Sequence, residues 1–391
     1  MAKAKLASCQ SERSCIPVHW VTSLVFYMFC LILVNHMETH GFTIDKFMAQ
    51  IEDSISRGLD YLYHHQYPNG EFCVYMSGDD AMQGWNQPDS SIFPSSLIGS
   101  SLYFLKEYPI ARDVLAKTGW FLRCQMGRGA TWNHYTNSHM LRALCPQDAD
   151  DTACVSKLLE QCGVDFPSAQ NISLLLDNRR KDGLFYTWIT FRLLPNTNKD
   201  YWLLALKEFL HPLKSFMFWQ KMECKKNDVD AVVNANILYY LGDIKETQPI
   251  IEWMLKIIEE NKEAHCDKWY RNVLTVYYFF SRNYHAGIAE LEAIKNTIIS
   301  RILVLINSDG SIGDCVADTS FAVCTLLNFN FSGPELTNAV RFIMASQKDT
   351  GEWERCRIYY GGPKKIVGFG SEELTTAFCL EALARYQKRI R

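Results

Sequence analysis

Past residue 43 the chain alternates between two kinds of segment, and that alternation restricts the fold more than any other feature. One kind is an amphipathic helix with charges along one face, as in "IDKFMAQIEDSISRGLDYLYHH" and "GIAELEAIKNTIISRILVLIN". The other is small, apolar and nearly uncharged: "SIFPSSLIGSSLYFL", "DTACVSKLLEQC", "DAVVNANILYYLG", "VLTVYYFFS", "DTSFAVCTLLNF" and "ELTTAFCLEAL". A helix that is apolar all round has to be buried, whereas its amphipathic partner can cover it and face water. Six inner helices, each following an outer one, predict an all-α chain folded as a six-hairpin α/α barrel. The barrel is expected over residues 44–391, after an N-terminal segment of residues 1–43.

The turn from outer to inner helix begins polar, passes through glycine and ends on an aromatic ring. It reads "QYPNGEF", "QMGRGATW", "NRRKDGLF", "NSDGSIG" and "QKDTGEW", while the fourth unit, "HCDKWY", keeps the ring without the glycine. Glycine supplies the positive φ that ends a helix, the amide side chain satisfies terminal carbonyls, and the ring stacks on the next unit. Spacing also exposes an insertion. Gly129 and Gly183 are 54 residues apart but Gly183 and Trp269 are 86 apart, and the excess falls at about 189–226. Its segment "YWLLALKEFLHPLKSFMFW" is apolar on a wide face, which suits either a surface dock on a membrane or a helix packed across the barrel end.

Three aspartates, Asp148, Asp150 and Asp151, crowd the start of the second inner helix. Capping a helix N-terminus takes one carboxylate. Three in four positions repel one another, and burial raises their pKa further, so one can stay protonated and act as an acid. Aromatic residues make up 13% of the chain, which suggests either a ring-rich core or a ring-lined cavity. The expected cavity rings are Trp85, Phe93, Trp132, Tyr135, Trp188, Trp269, Tyr277 and Tyr278, with His134, His139 or His265 as a base. The net charge of -3 and the absence of basic runs argue against a nucleic-acid partner. Fourteen cysteines without a Cys-x-x-Cys pair read as reduced core thiols, and no metal site or cofactor is expected.

The turn residues Gln347, Gly351 and Trp353 match the Q-x-x-x-G-x-W repeat of the squalene-hopene and oxidosqualene cyclases, Gln66, Gly70 and Phe72 match it with Phe for Trp, and "DADDTA" matches the D-x-D-D-T-A motif of class II terpene cyclases. The chain thus resembles that family, with length for a single barrel only. The resemblance implies that Asp150 is the general acid, flanked by Asp148 and Asp151, and that it protonates an alkene or epoxide of a linear isoprenoid for cyclisation. The aspartates of class I enzymes are missing, since "GDDAMQ" lacks the third carboxylate, and the zinc ligands of protein prenyltransferases are not recognisable. Two other functions fit the residues: a non-catalytic isoprenoid- or lipid-binding barrel, and a glycan-acting α/α barrel using paired carboxylates. Finally, residues 16–35, "IPVHWVTSLVFYMFCLILVN", have the length of a bilayer span. They suit a retained anchor, with the N-terminus cytoplasmic because Lys3, Lys5 and Arg13 precede them, or a leading helix folded on the barrel. Membrane association is expected either through that anchor or through the insertion.

Overall fold

The structure is a computed structural model that describes residues 44–192, 196–210, 212–222, 224–362 and 366–391. The apolar segment 16–35 lies outside the described residues, and no helix among them is long and apolar enough to cross a membrane. The chain divides into a unit of residues 1–52, of which 44–52 are described and helical, and a unit of residues 53–391.

In the larger unit the described residues are mostly helical. The outer helices are α1 (53–65), α3 (Pro109–Cys124), α5 (Ser168–Asp177), α9 (Gln248–Glu259), α11 (Glu292–Leu303) and α13 (Pro334–Ala345). The inner ones are α2 (Phe93–Leu102), α4 (Ala149–Gln161), α8 (Ala231–Leu241), α10 (Val273–His285), α12 (Val316–Asn328) and α14 (Glu372–Ile390). Each inner helix packs on the next, and α14 returns to α2, so the six close a ring. Sequence explains the division. Ile250, Ile251, Met254, Ile257 and Ile258 make one buried stripe on α9, whereas every residue of α8 from Ala231 to Leu238 is buried. Each large aliphatic side chain shut away in this manner contributes about 2 kcal/mol against the entropy of ordering the chain.

The turns clamp successive units together. Gln66 Nε2 donates to the carbonyl of Gly70 at 3.1 Å and reaches α3 at the Thr118 hydroxyl, 2.9 Å away. Gln347 repeats this at the end of the chain, donating to Gly351 O at 2.7 Å and to Ser54 O on α1 at 3.0 Å, which closes the outer ring. The indole of Trp353 donates to Ile343 O at 2.6 Å, and that of Trp132 to Leu122 O at 2.8 Å. At five of the six turns, a main-chain N–H donates into the first turns of the following inner helix. The pairs are Phe72 to Ser95, Trp132 to Thr152, Phe185 to Asn234, Ile312 to Thr319 and Trp353 to Thr376, at 2.8–3.2 Å.

The all-α expectation needs one correction, because two small antiparallel sheets occupy the connections. Strands β1 (Val74–Ser77), β2 (Asn86–Asp89), β5 (Tyr359–Gly361) and β6 (Val367–Gly370) form a sheet in the order β2-β1-β6-β5, with Tyr75 opposite Gly370 and Tyr359 opposite Phe369. Strand β3 (Gln147–Asp148) pairs with β4 (Trp188–Ile189), placing Asp148 opposite Trp188. The reason is that the long connections into the inner helices carry buried main-chain groups that need partners, and neighbouring connections supply them. The insertion forms α6 (Lys199–Leu210) and α7 (Pro212–Lys221). On α7, Phe218 is buried, whereas Leu213, Phe216 and Met217 are exposed, as are Trp202, Leu206 and Leu210 on α6; exposure among the six runs from 41% to 78%.

Gly351 has φ +101°, and a β-carbon there would sit 2.5 Å from the carbonyl oxygen of Arg57. Gly351→Ala is expected to cost about 2 kcal/mol, measured by chemical denaturation, through backbone strain and loss of the clamp on α1. Gly78→Ala, which meets nothing within 4 Å, should stay within about 0.5 kcal/mol of the parent.

Candidate active site

The inner helices α2, α4 and α8 and the segment entering α10 all bring their N-terminal ends to one pocket. All three aspartates of the second inner helix line it. Their roles differ. Asp148 is the cap: its Oδ1 accepts from the Asp150 amide at 2.7 Å. That leaves Asp150 free of its own helix, and its carboxyl turns to the neighbours instead. Oδ1 accepts from Asn236 Nδ2 on α8 at 2.5 Å, and Oδ2 accepts from the Tyr270 hydroxyl at 2.7 Å. Asp151 is buried, and its Oδ1 finds no hydrogen-bond partner among the described residues.

Burial pushes Asp150 up from 3.8 to about 6. The hydrogen bonds from Asn236 and Tyr270 and the Arg282 charge hold it down, while Asp230 pushes it up. Asp148 and Asp151 are driven further above the carboxylate range, by burial first and then by neighbouring aspartate charges. Crowding therefore acts most on the flanking pair, and the middle carboxyl is the one that donors and a cation bring close to neutral pH. His134, also in the pocket wall, is lowered to about 4 by burial, so its imidazole is neutral at pH 7.

Of the eight rings expected at the cavity, Phe93, Tyr135, Trp188 and Trp269 line it. The other four do not. Trp85 is 68% exposed, and Trp132 is buried in its turn as a clamp. Tyr277 donates to Glu263 at 2.7 Å and Tyr278 to Glu381 at 2.9 Å, both further along α10 than the rim. Their places at the pocket are taken by Tyr270, at the end of the glycine-less fourth turn, and by Tyr359 and Phe369, which come from the β5–β6 hairpin and stack with centroids 5.0 Å apart. The alternating "IYYGG" and "VGFG" stretches carried a strand signal that helical reading passed over. On α7, Phe218 and Met222 just beyond the helix face the pocket as well. Asn236 and Arg282 were legible only as polar residues inside apolar helices, a pattern that marks a buried partner. Arg282 is buried between the rings of Tyr239 and Phe279, 4.3 and 4.7 Å from their centroids, and its Nη2 donates to Asn236 Oδ1 at 2.5 Å.

No family model matches the chain, and no curated protein matches it by sequence. Solved structures match by fold. A single-substitution variant of the type II terpene cyclase MstE from Scytonema, solved in complex with geranylgeranyl dihydroxybenzoate, is similar at 15% identity and a TM-score of 0.62, over 87% of this chain and 98% of that one. A second variant, holding the product merosterolic acid A, gives 14% identity and a TM-score of 0.62 over the same shares. A protein from Actinoplanes is similar at 15% identity and a TM-score of 0.58, over 86% of this chain and 99% of that one.

A carboxyl whose folded pKa lies above its unfolded value binds its proton more tightly in the native state, so stability falls as pH rises from about 4 to about 6. Above pH 6 the charged Asp150 costs the fold on the order of 3 kcal/mol. Asp150→Asn keeps the shape and the Asn236 and Tyr270 contacts, so at pH 8 it is expected to unfold at higher denaturant than the parent. Below pH 4 the two should converge.

Their nearly full overlap with single chains of similar length makes the ring of six hairpins, with its connections, a class II terpene cyclase-like fold.

Proposed function

We propose that this chain is a class II terpene-cyclase-like enzyme in which Asp150 protonates an alkene or epoxide of a linear isoprenoid, and the resulting cation closes rings inside the pocket. The observation that carries this reading is the carboxyl of Asp150: it is buried, raised to about 6, unused as a cap, and set in the wall of a pocket of aromatic rings. The D-x-D-D-T-A match and the fold shared with a cyclase solved with a geranylgeranyl substrate support it.

The chemistry follows from these groups. Protonation takes the π electrons of a terminal alkene, or opens an epoxide, and leaves Asp150 as a carboxylate. The positive charge then passes along the chain, where Phe93, Tyr135, Trp188, Trp269 and Tyr359 present negative ring faces without acting as nucleophiles. His134 meets the rings of Tyr359 and Phe369 at 6.0 and 5.7 Å, and its neutral imidazole is placed to accept the final proton. Burial raises the flanking carboxyls as well, which lessens the charge they would hold beside the cation. A sugar ligand would need more polar side chains than this wall of rings offers.

An apolar substrate reaches such a site from a lipid phase, and the exposed side chains of α6 and α7 supply a docking face for one. Because Phe218 on α7 lines the pocket, the same helix is both dock and wall. The proposed location is therefore a membrane surface, reached through this hairpin and, where residues 16–35 insert, through an anchor as well. A chain starting at Thr43 should float with phosphatidylcholine vesicles in high salt, and the double change Leu213→Glu and Phe216→Glu should leave it at the bottom of the gradient. Equal flotation of both would reject the dock.

Incubation with squalene, oxidosqualene, geranylgeraniol and its terminal epoxide should yield an isomeric cyclic product from at least one. Its rate should be flat at low pH and fall tenfold per pH unit above about 6, because the acid must be protonated. Asp150→Asn should abolish the product while the protein stays folded. Turnover retained in that variant rejects the acid, since an amide keeps the shape and hydrogen bonds of the carboxyl but has no acidic proton to give.

A further inference from the structure

We infer that Asn236 and Arg282 confine the Asp150 proton to Oδ2, and that the Tyr270 hydroxyl carries it from there into the pocket. The inference rests on reading Asp150 as the acid and adds the route the proton takes. It starts from donor counting. A guanidinium has donors only, so the oxygen of the Asn236 amide must face Arg282 Nη2, 2.5 Å away. The amide therefore cannot turn over, and its NH2 must face Asp150 Oδ1, also at 2.5 Å. A proton on Oδ1 would oppose that NH2 donor to donor. The remaining site is Oδ2, whose partner is the Tyr270 hydroxyl at 2.7 Å. A phenol can donate to a carboxylate and accept from a carboxylic acid, so it suits both states of Asp150.

Tyr270 is placed to do more than hold the acid. It lines the pocket, with its ring set among those of Phe93, Phe279 and Tyr359. Burial and the Asp150 charge push its own pKa far up, so a free phenolate is not a resting state. Transfer is then a paired movement. The phenol proton goes to the terminal alkene carbon, a C–H bond forms from the π pair, and the phenol O–H bond breaks. The Asp150 Oδ2 proton moves to the phenol oxygen at the same time. The result is a carbocation, a neutral tyrosine and a carboxylate, with charge balanced and no other reactant required. Arg282, stacked between Tyr239 and Phe279, is a positioning residue that acts through Asn236.

The groups that face Asp150 are Asp148, Asp151 and Cys154 on or beside α4, Asp230 at the cap of α8, and Tyr270 and Arg282 before and on α10. Loss of the arginine charge removes one of the groups that hold the acid down, so its titration should move to higher pH.

The test compares the full chain with Tyr270→Phe, Asp150→Asn, Arg282→Met and Asn236→Asp, using whichever of the four isoprenoid probes the parent converts. Asp150 is titrated separately, by the infrared carboxyl band that Asp150→Asn removes, which needs no substrate. Tyr270→Phe keeps the ring and should fold, with kcat reduced at least ~100-fold and KM within ~3-fold. Arg282→Met should raise the midpoint of the Asp150 band by about one pH unit or more, and Asn236→Asp, which keeps a partner for Arg282 if the methionine does not fold, should do the same. If Asp150→Asn is inactive while Tyr270→Phe stays within ~3-fold of the parent, the relay is overturned and the acid stands. If Asp150→Asn still turns over, the acid itself is overturned. An Asp150 midpoint that stays put or falls in both positioning variants overturns the part given to Asn236 and Arg282.

Discussion

One main-chain hydrogen bond recurs around the ring: at five of the six turns an N–H donates to a hydroxyl or amide in the first turns of the next inner helix. It joins Trp132 to Thr152 and Trp353 to Thr376, and three further turns repeat it. An apolar helix in an apolar ring has little to fix its height, because hydrophobic contact is non-directional. A directional bond near the helix start supplies that missing constraint. It sets α2, α4, α8, α12 and α14 at defined heights relative to their turns, and the pocket lies where inner helices begin.

That arrangement has an electrostatic consequence. Helix starts attract carboxylates, so a ring of parallel starts collects them in a buried place, where charge is expensive. The structure answers in different ways at different positions. Asp89 pairs with His139 at 3.1 Å, and Asp230 accepts from the Thr187 hydroxyl at 2.7 Å and the Trp269 indole at 3.2 Å. Asp151 has one oxygen without a partner among the described residues, and burial raises its pKa well above the carboxylate range. Asp150 lies between these cases, with two donors and a cation one residue removed, which is why its titration falls near neutrality.

Buried cations are equally constrained. Arg282 and Arg385 both sit inside the ring, the first between aromatic faces and the second bonded to Glu381 at 2.9 Å, with Tyr278 and Ser101 on the other carboxylate oxygen. Tyr278 is thus part of a core network that satisfies an ion pair, and its hydroxyl is not available to a ligand. This explains why a tyrosine on a correctly identified inner helix does not reach the cavity.

The alternation of helix types, the turn residues and the crowding of Asp148, Asp150 and Asp151 were legible in the amino-acid sequence, because each is set by contacts within a few residues: buried stripes, a positive φ at glycine, a cap. Which carboxyl caps and which faces the pocket was not. That depended on Asn236 and Tyr270, 86 and 120 residues further along. The cavity rings show the same division. Phe93, Tyr135, Trp188 and Trp269 were legible because they lie close to turns or helix starts, whereas Tyr359 and Phe369 reach the pocket on the paired strands β5 and β6, far along the chain. Local order is encoded by neighbours in sequence, so sequence alone determined the repeat and the candidate acid. The walls of the site are made where distant segments meet, and side-chain depth along a helix depends on what packs above it, so only the tertiary structure decided which residues face the pocket.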